Sequence, residues 1–127
     1  MKEPVFLSTA DIEFLHQHSI VRYGGTMGLR DRNGLEAAAN HPKNVFHYGH
    51  GDLFDIAAAY AFHIAEAQSF LDGNKRTAVA AALSFLDLNG INTVFDAIAL
   101  YNAMIAIAER RMDKTELASS LRRQSNP

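Results

Sequence analysis

The sequence predicts an all-α, single-domain fold over residues 1–127, on three observations. Two stretches of helix length, 53–67 and 78–88, are apolar on nearly every side, the pattern of helices buried in a core. Capping residues and glycines punctuate the chain around them. No run reads as a strand, because Ile91-Asn92-Thr93-Val94-Phe95 is short and stands alone. Roughly six helices follow, four of them packed around the two central ones.

Ser8 is a good N-cap, with Asp11 three residues on as a loose capping box ahead of Ile12, Phe14 and Leu15. Gly24-Gly25 stops this first helix, and Arg22 puts a positive charge in its last turn. A turn-rich stretch, 28–34, leads to a short helix over 35–39. From His41-Pro42-Lys43-Asn44 to Val45-Phe46-His47-Tyr48-Gly49-His50-Gly51, the aromatics and glycines suggest a flap-like connection over 41–51, hairpin-like or extended. Asp52 caps the first central helix, where six alanines among larger apolar residues leave little polar face. Asn89-Gly90 terminates the second. Helices over 96–110 and 113–123 complete the set, and Gln124-Ser125-Asn126-Pro127 reads as a frayed tail.

Composition narrows the function. A chain of 127 residues supports one core. Twelve basic against 14 acidic residues provide no general field for nucleic acid or an anionic membrane, so any anion binding has to be local. The pairs Arg110-Arg111 and Arg122-Arg123 fall near expected helix ends, where cations meet the dipole, and no direct nucleic-acid contact is expected. The absence of cysteine excludes disulfides, thiolate metal sites and a cysteine nucleophile. No segment approaches the roughly 20 apolar residues of a membrane span. Met1-Lys2-Glu3-Pro4 also runs into polar sequence without an apolar stretch of signal-peptide length. A soluble, cytoplasmic protein without membrane contact is the expectation.

The chemistry concentrates in Phe70-Leu71-Asp72-Gly73-Asn74-Lys75-Arg76-Thr77, a polar loop between the two central helices. The N-terminus of the second helix offers unpaired N–H groups and the positive end of a dipole, an anion site. Gly73 lets the backbone approach a ligand and adopt positive φ. Asn74 can cap the helix and donate to a phosphate oxygen, while Lys75 and Arg76 bring two cations to the same turn. Asp72 is out of place beside an anion unless Mg²⁺ bridges it to phosphates. The plainer reading is a capped helix start decorated with ordinary surface cations, and Phe70 is expected to anchor the loop in the core.

The run also resembles the signature of the Fic/Doc family: His, any residue, Phe, any residue, Asp or Glu, Gly, Asn, Gly or Lys, Arg. Lys75 in the eighth place, and Val79 where Fic-type transferases have a second Arg, are similar to the Doc (death-on-curing) branch. Arg22-Tyr23-Gly24-Gly25, Gly28-Leu29-Arg30-Asp31, Pro42-Lys43-Asn44 and Ser84-Phe85-Leu86-Asp87-Leu88-Asn89-Gly90 carry the resemblance over most of the chain. It implies a helical Fic fold that binds ATP and Mg²⁺. It also implies a toxin held in check by the C-terminal segment of an antitoxin, acting as a protein kinase on translation elongation factor Tu. Fic-type members instead transfer AMP to a protein hydroxyl. Carried over, Asp72 would hold the metal, and Gly73, Asn74, Lys75 and Arg76 the phosphates, with Arg76 also serving catalysis. The 41–51 connection would be the flap that positions the target.

One departure stands out. Gln68 occupies the place of the signature histidine, the expected general base, and an amide cannot take up the proton of an attacking hydroxyl. His63 lies about 140° around and about 7.5 Å along the same helix, so it does not present to that spot. No spacing makes His41, His47 or His50 a base constellation. The chain is therefore expected to be attenuated, or a silent module that binds nucleotide or partner, unless phosphoryl transfer here needs little base assistance. The Fic inhibitory motif is not convincing either: Thr9 and Glu13 have its spacing, but Phe14 follows. Control by a separate antitoxin is thus the expected mode.

Overall fold

The computed structural model describes residues 2–92 and 94–125. Six helices appear in order: α1 (Thr9–Tyr23), α2 (Arg32–Gly49), α3 (Leu53–Ala67), α4 (Asn74–Leu88), α5 (Ala97–Ala108) and α6 (Lys114–Ser125). No strand forms among the described residues, and the nearest thing to one is an isolated antiparallel bridge between Leu29 and Phe70. The all-α expectation holds.

α3 and α4 form the centre. Ile56, Ala57, Ala58, Ala59 and Tyr60 of α3, and Ala78, Ala81, Phe85 and Leu86 of α4, are completely enclosed. The alanines let neighbouring helices come close, so α3 packs against α2, α4, α5 and α6, while α1 lies on α4. Tyr60 is the one polar-tipped side chain at the middle of α3. Its hydroxyl accepts the Leu7 N–H at 2.8 Å and donates to the Leu7 C=O at 3.3 Å, and burial pushes its pKa up to about 12. Asn89, just after α4, bonds the N–H and C=O of Val5. Together they fasten the N-terminal segment across the bundle.

The helix starts follow from their caps. Ser8 with Asp11, and Asp52 with Asp55, form reciprocal capping boxes, which fix α1 and α3 at the expected residues. Asp113 and Glu116 exchange the same pair of bonds ahead of α6. Gly24 and Asn89 cap the ends of α1 and α4. α4 starts earlier than the apolar stretch at 78, because Asn74 to Thr77 already belong to it. At the C-terminus Gln124 and Ser125 stay helical, and Gln124 accepts the Asp96 N–H. The expected fraying is therefore overturned there, and Asn126 and Pro127 lie outside the described residues, as does Thr93.

The expected flap over 41–51 is not a flap. α2 runs unbroken to Gly49 with Pro42 inside it, and extended or turn backbone is confined to the short link after His50, which takes αL at φ 54°. A proline in a helix interior forfeits one hydrogen bond and costs about 3 kcal/mol in an isolated helix. Here Pro42 is buried on the same stripe as Leu35, Ala38 and Ala39, and Val45 and Phe46 continue it against the core. That i, i+3, i+4, i+7 stripe sustains the helix through the proline.

Candidate functional site

Where α3 ends and α4 begins, the chain turns through the polar loop and opens a cleft of about 840 Å³. Asp72, Gly73, Asn74, Lys75 and Arg76 line it together with Gln68, and Val79, Leu83, Ile98 and Tyr101 add largely apolar surface from α4 and α5. The volume is that of a small-molecule site, with apolar walls and a few convergent polar groups. Gln68 and the five residues from Asp72 to Arg76 therefore border one space.

The loop's geometry is imposed from two sides. Contrary to expectation, Asn74 does not cap α4. Gly73 is the N-cap, at φ 75°, and makes no side-chain cap bond. Instead the Asn74 amide donates to the Phe70 C=O at 3.0 Å and accepts the Phe70 N–H at 3.1 Å, closing the loop on itself. Phe70 is buried, as expected, and stacks on His16 of α1 with centroids 3.8 Å apart. The connection between α1 and α2 grips the rest. Arg30 and Asp31 N–H groups both donate to the Ser69 C=O, Leu71 N–H donates to the Gly28 C=O, and the Arg30 guanidinium donates to the Gln68 C=O at 2.6 Å. Gln68 itself sits in αL at φ 47° as the C-cap of α3, with its side chain exposed.

Asp72 is exposed and points its carboxylate toward the end of α1. Its Oδ2 accepts the Thr26 N–H at 3.2 Å and its Oδ1 the Gly73 N–H at 2.9 Å; these two bonds hold its pKa below the usual carboxylate value, with Arg76 and His16 adding to the effect. Each oxygen keeps a further lone pair. Among the described residues no three acidic or histidine side chains gather around a point, so the loop is not a metal cage. A lone ionised carboxylate beside an anion-binding helix start does fit Mg²⁺ carried in with phosphates, which takes one or two carboxylates and fills its shell with phosphate oxygens and water.

Thr77 N–H makes the first helical bond, to the Gly73 C=O, so the N–H groups of Asn74, Lys75 and Arg76 precede the helical ladder at the anion end of the dipole. Arg76 donates one bond to the Gly24 C=O at 2.7 Å and lies over the Tyr23 ring at 5.8 Å, leaving most of its five donors uncommitted in those contacts. Residues 6–86, which include α1, α2, α3 and all of this loop, match the Fic/DOC family.

The chain belongs to the Fic/DOC family. It is 35% identical over 118 residues to a protein named protein kinase doc from Escherichia phage P1, covering 92% of this chain and 93% of that one. It is 36% identical over 106 residues to a protein named toxin Doc from Mycolicibacterium smegmatis, covering 80% and 81%.

Within this Fic/DOC site, the sequence pattern left several supports unnoticed. His16, Thr26 and Arg30 each hold the loop, yet none lies in the signature. His16 could have been found, because it falls on the buried stripe of α1 with Ile12, Ser19 and Ile20. The other histidines lie elsewhere. His63 stacks on His41 at 3.9 Å and accepts from the Lys114 ammonium through Nε2 at 3.1 Å, so its proton sits on Nδ1. Burial first, then Lys114 and His41, push its pKa down to about 4. His47 pairs with Glu3, and His50 caps α2. The basic pairs are partly spent in ion pairs, Arg111 with Glu109 and Arg122 with Asp52 and Asp55.

Proposed function

We propose that this chain is a Doc-type toxin whose cleft takes Mg·ATP and passes a phosphoryl group to a hydroxyl of a protein, elongation factor Tu being the expected target. The observation that carries the reading is the convergence of Asp72, Lys75, Arg76 and the opening N–H groups of α4 on one cleft. The N–H groups of Asn74 to Arg76 and the two cations bind and orient the phosphates. Asp72, held ionised by Thr26 and Gly73, takes the cation that accompanies them. When bound, Mg²⁺ neutralises charge developing on the phosphates. The apolar wall of Val79, Leu83, Ile98 and Tyr101 supplies a surface for the base of the nucleotide.

Phosphoryl rather than AMP transfer is favoured by Lys75 and Val79, since Val79 lines the cleft where a second arginine would be needed. The name of one relative, protein kinase doc, supports the same choice, and that of the other, toxin Doc, supports the toxin reading. As a toxin the chain would work in the cytoplasm and be neutralised by the C-terminal segment of a cognate antitoxin. No helix among the described residues is long and apolar enough to cross a membrane.

Gln68 favours a second reading, a module that binds nucleotide or partner without turnover. It lines the cleft where the proton acceptor belongs and has no basic nitrogen. Incubation with elongation factor Tu and ATP labelled at the γ or the α phosphate separates the three outcomes. Transfer of γ label supports the kinase, transfer of α label an AMP transferase, and binding without transfer the silent module.

A further inference from the structure

We propose that His16 is the positioning residue of the site: from α1 it fixes the peptide plane between Asp72 and Gly73, and through it the Asp72 carboxylate. The inference rests on the reading of the cleft as an Mg·ATP site, and deepens it.

His16 is 2% exposed, and its ring lies flat on Phe70, 9° from parallel. Its Nε2 is 2.7 Å from the Asp72 main-chain oxygen. A carbonyl only accepts, so Nε2 carries a hydrogen and donates. The same peptide unit has the Gly73 N–H on its other edge, and that N–H holds Asp72 Oδ1 at 2.9 Å. One rigid plane thus joins the buried imidazole to the exposed carboxylate.

The plane has no strong reason of its own to stay where it is. Gly73 occupies φ 75°, but glycine populates positive and negative φ about equally, so a flip of the 72–73 peptide meets little steric resistance. α4 has no side-chain N-cap to define its start. Asn74 fixes only the Phe70 end of the loop. At the Asp72–Gly73 bond, His16 is the side chain that pairs with the observed orientation: a flipped plane would set an N–H against the Nε2 hydrogen and force the ring to move its proton to Nδ1. A flip would also withdraw the donor from Asp72 Oδ1.

The test compares His16→Phe, which keeps the ring and loses the donor, with His16→Gln, which keeps a donor at similar reach. Should the phenylalanine variant not fold, His16→Met, of glutamine's length without a donor, takes its place. His63→Gln serves as a control for histidine loss away from the cleft. Two measurements are made: amide hydrogen exchange of residues 71–76 in nucleotide-free protein, and the Kd for Mg·ATP. The donor-less variant is expected to exchange faster at Gly73 and to bind Mg·ATP about 10-fold to 100-fold more weakly, the usual effect of losing a partner that orients a ligand. Glutamine is expected to restore most of both, and the control to change neither. Unchanged exchange in the donor-less variant, or a glutamine variant no better than it, overturns the proposal. If the parent chain fails to bind Mg·ATP, the reading of the cleft falls, and exchange at Gly73 still decides the role of His16.

Discussion

Gln68 and Gly25 show how much of the candidate chemistry depends on single residues in unusual backbone. Gln68 holds αL at φ 47°, with its carbonyl tied to Arg30, and histidine is among the residues that tolerate this region. Gln68→His is therefore expected to fold as the parent does and to raise the rate of transfer to elongation factor Tu by about 10²–10⁴-fold, the range of a restored general base. Its Kd for Mg·ATP should stay close to that of the parent. A rate measured with γ-labelled ATP that does not change would refute the role given to this position. Gly25 stands at φ 120°, and a Cβ there would come within 2.8 Å of Asp72 Oδ2. Gly25→Ala is expected to cost about 1–3 kcal/mol in backbone strain and to displace the carboxylate, which thermal unfolding and Mg·ATP titration would register together. Asn74→Ala would strip both bonds from the Phe70 backbone in the partly buried loop. A loss of about 1–3 kcal/mol in urea unfolding is expected for the groups left unpaired.

At the scale of elements, α3 is held at its start by Asp52, which forms the capping box with Asp55 and receives two bonds of 3.0 Å from Arg122 of α6. Partial burial raises the Asp52 pKa, but the Asp55 N–H and Arg122 outweigh it and leave the group below its usual value. Asp52→Ala is expected to lose about 1 kcal/mol through the cap, with an unchanged dependence on urea concentration. The ion pair adds little, because both partners are substantially exposed. α2 shows how tertiary packing can outweigh a local rule. His41-Pro42 reads as a break, yet Leu35, Ala38, Ala39 and Pro42 share the face turned to α3, and Val45 and Phe46 continue it. That stripe was legible in the residues. Pro42 and the glycines after it masked it.

For the molecule as a whole, acid stability carries a signature of the His41, His63 and Lys114 contact, where α2, α3 and α6 meet. The pKa of His63 is pushed down to about 4 from 6.5, so between those values the unfolded chain binds a proton that the folded one refuses. Stability is then expected to fall as pH drops through this window and to be unaffected by His63 above it. His63→Gln should flatten the slope of unfolding free energy against pH from about 6.5 to 4, as read from urea unfolding at a series of pH values. An equal slope in parent and variant would refute the burial argument.

The sequence by itself determined the helical class, the two central helices with the caps at Asp52 and Asn89, and the loop with its candidate anion-binding residues. These are local properties: apolar coverage of a helix surface, oxygen side chains three residues ahead of N–H groups, and cations clustered in one turn. The departure at Gln68 was legible for the same reason, since it is a substitution within one short run. What only the tertiary structure decided is how that loop is held. His16, Thr26 and Arg30 come from 38 to 56 residues away, and no spacing rule links them to Asp72 or Gln68. They act because α1 lies on α4 and the α1–α2 connection folds over the loop. Packing likewise turned an expected flap into the second half of α2, where a buried apolar face outweighed the hydrogen bond that Pro42 cannot make.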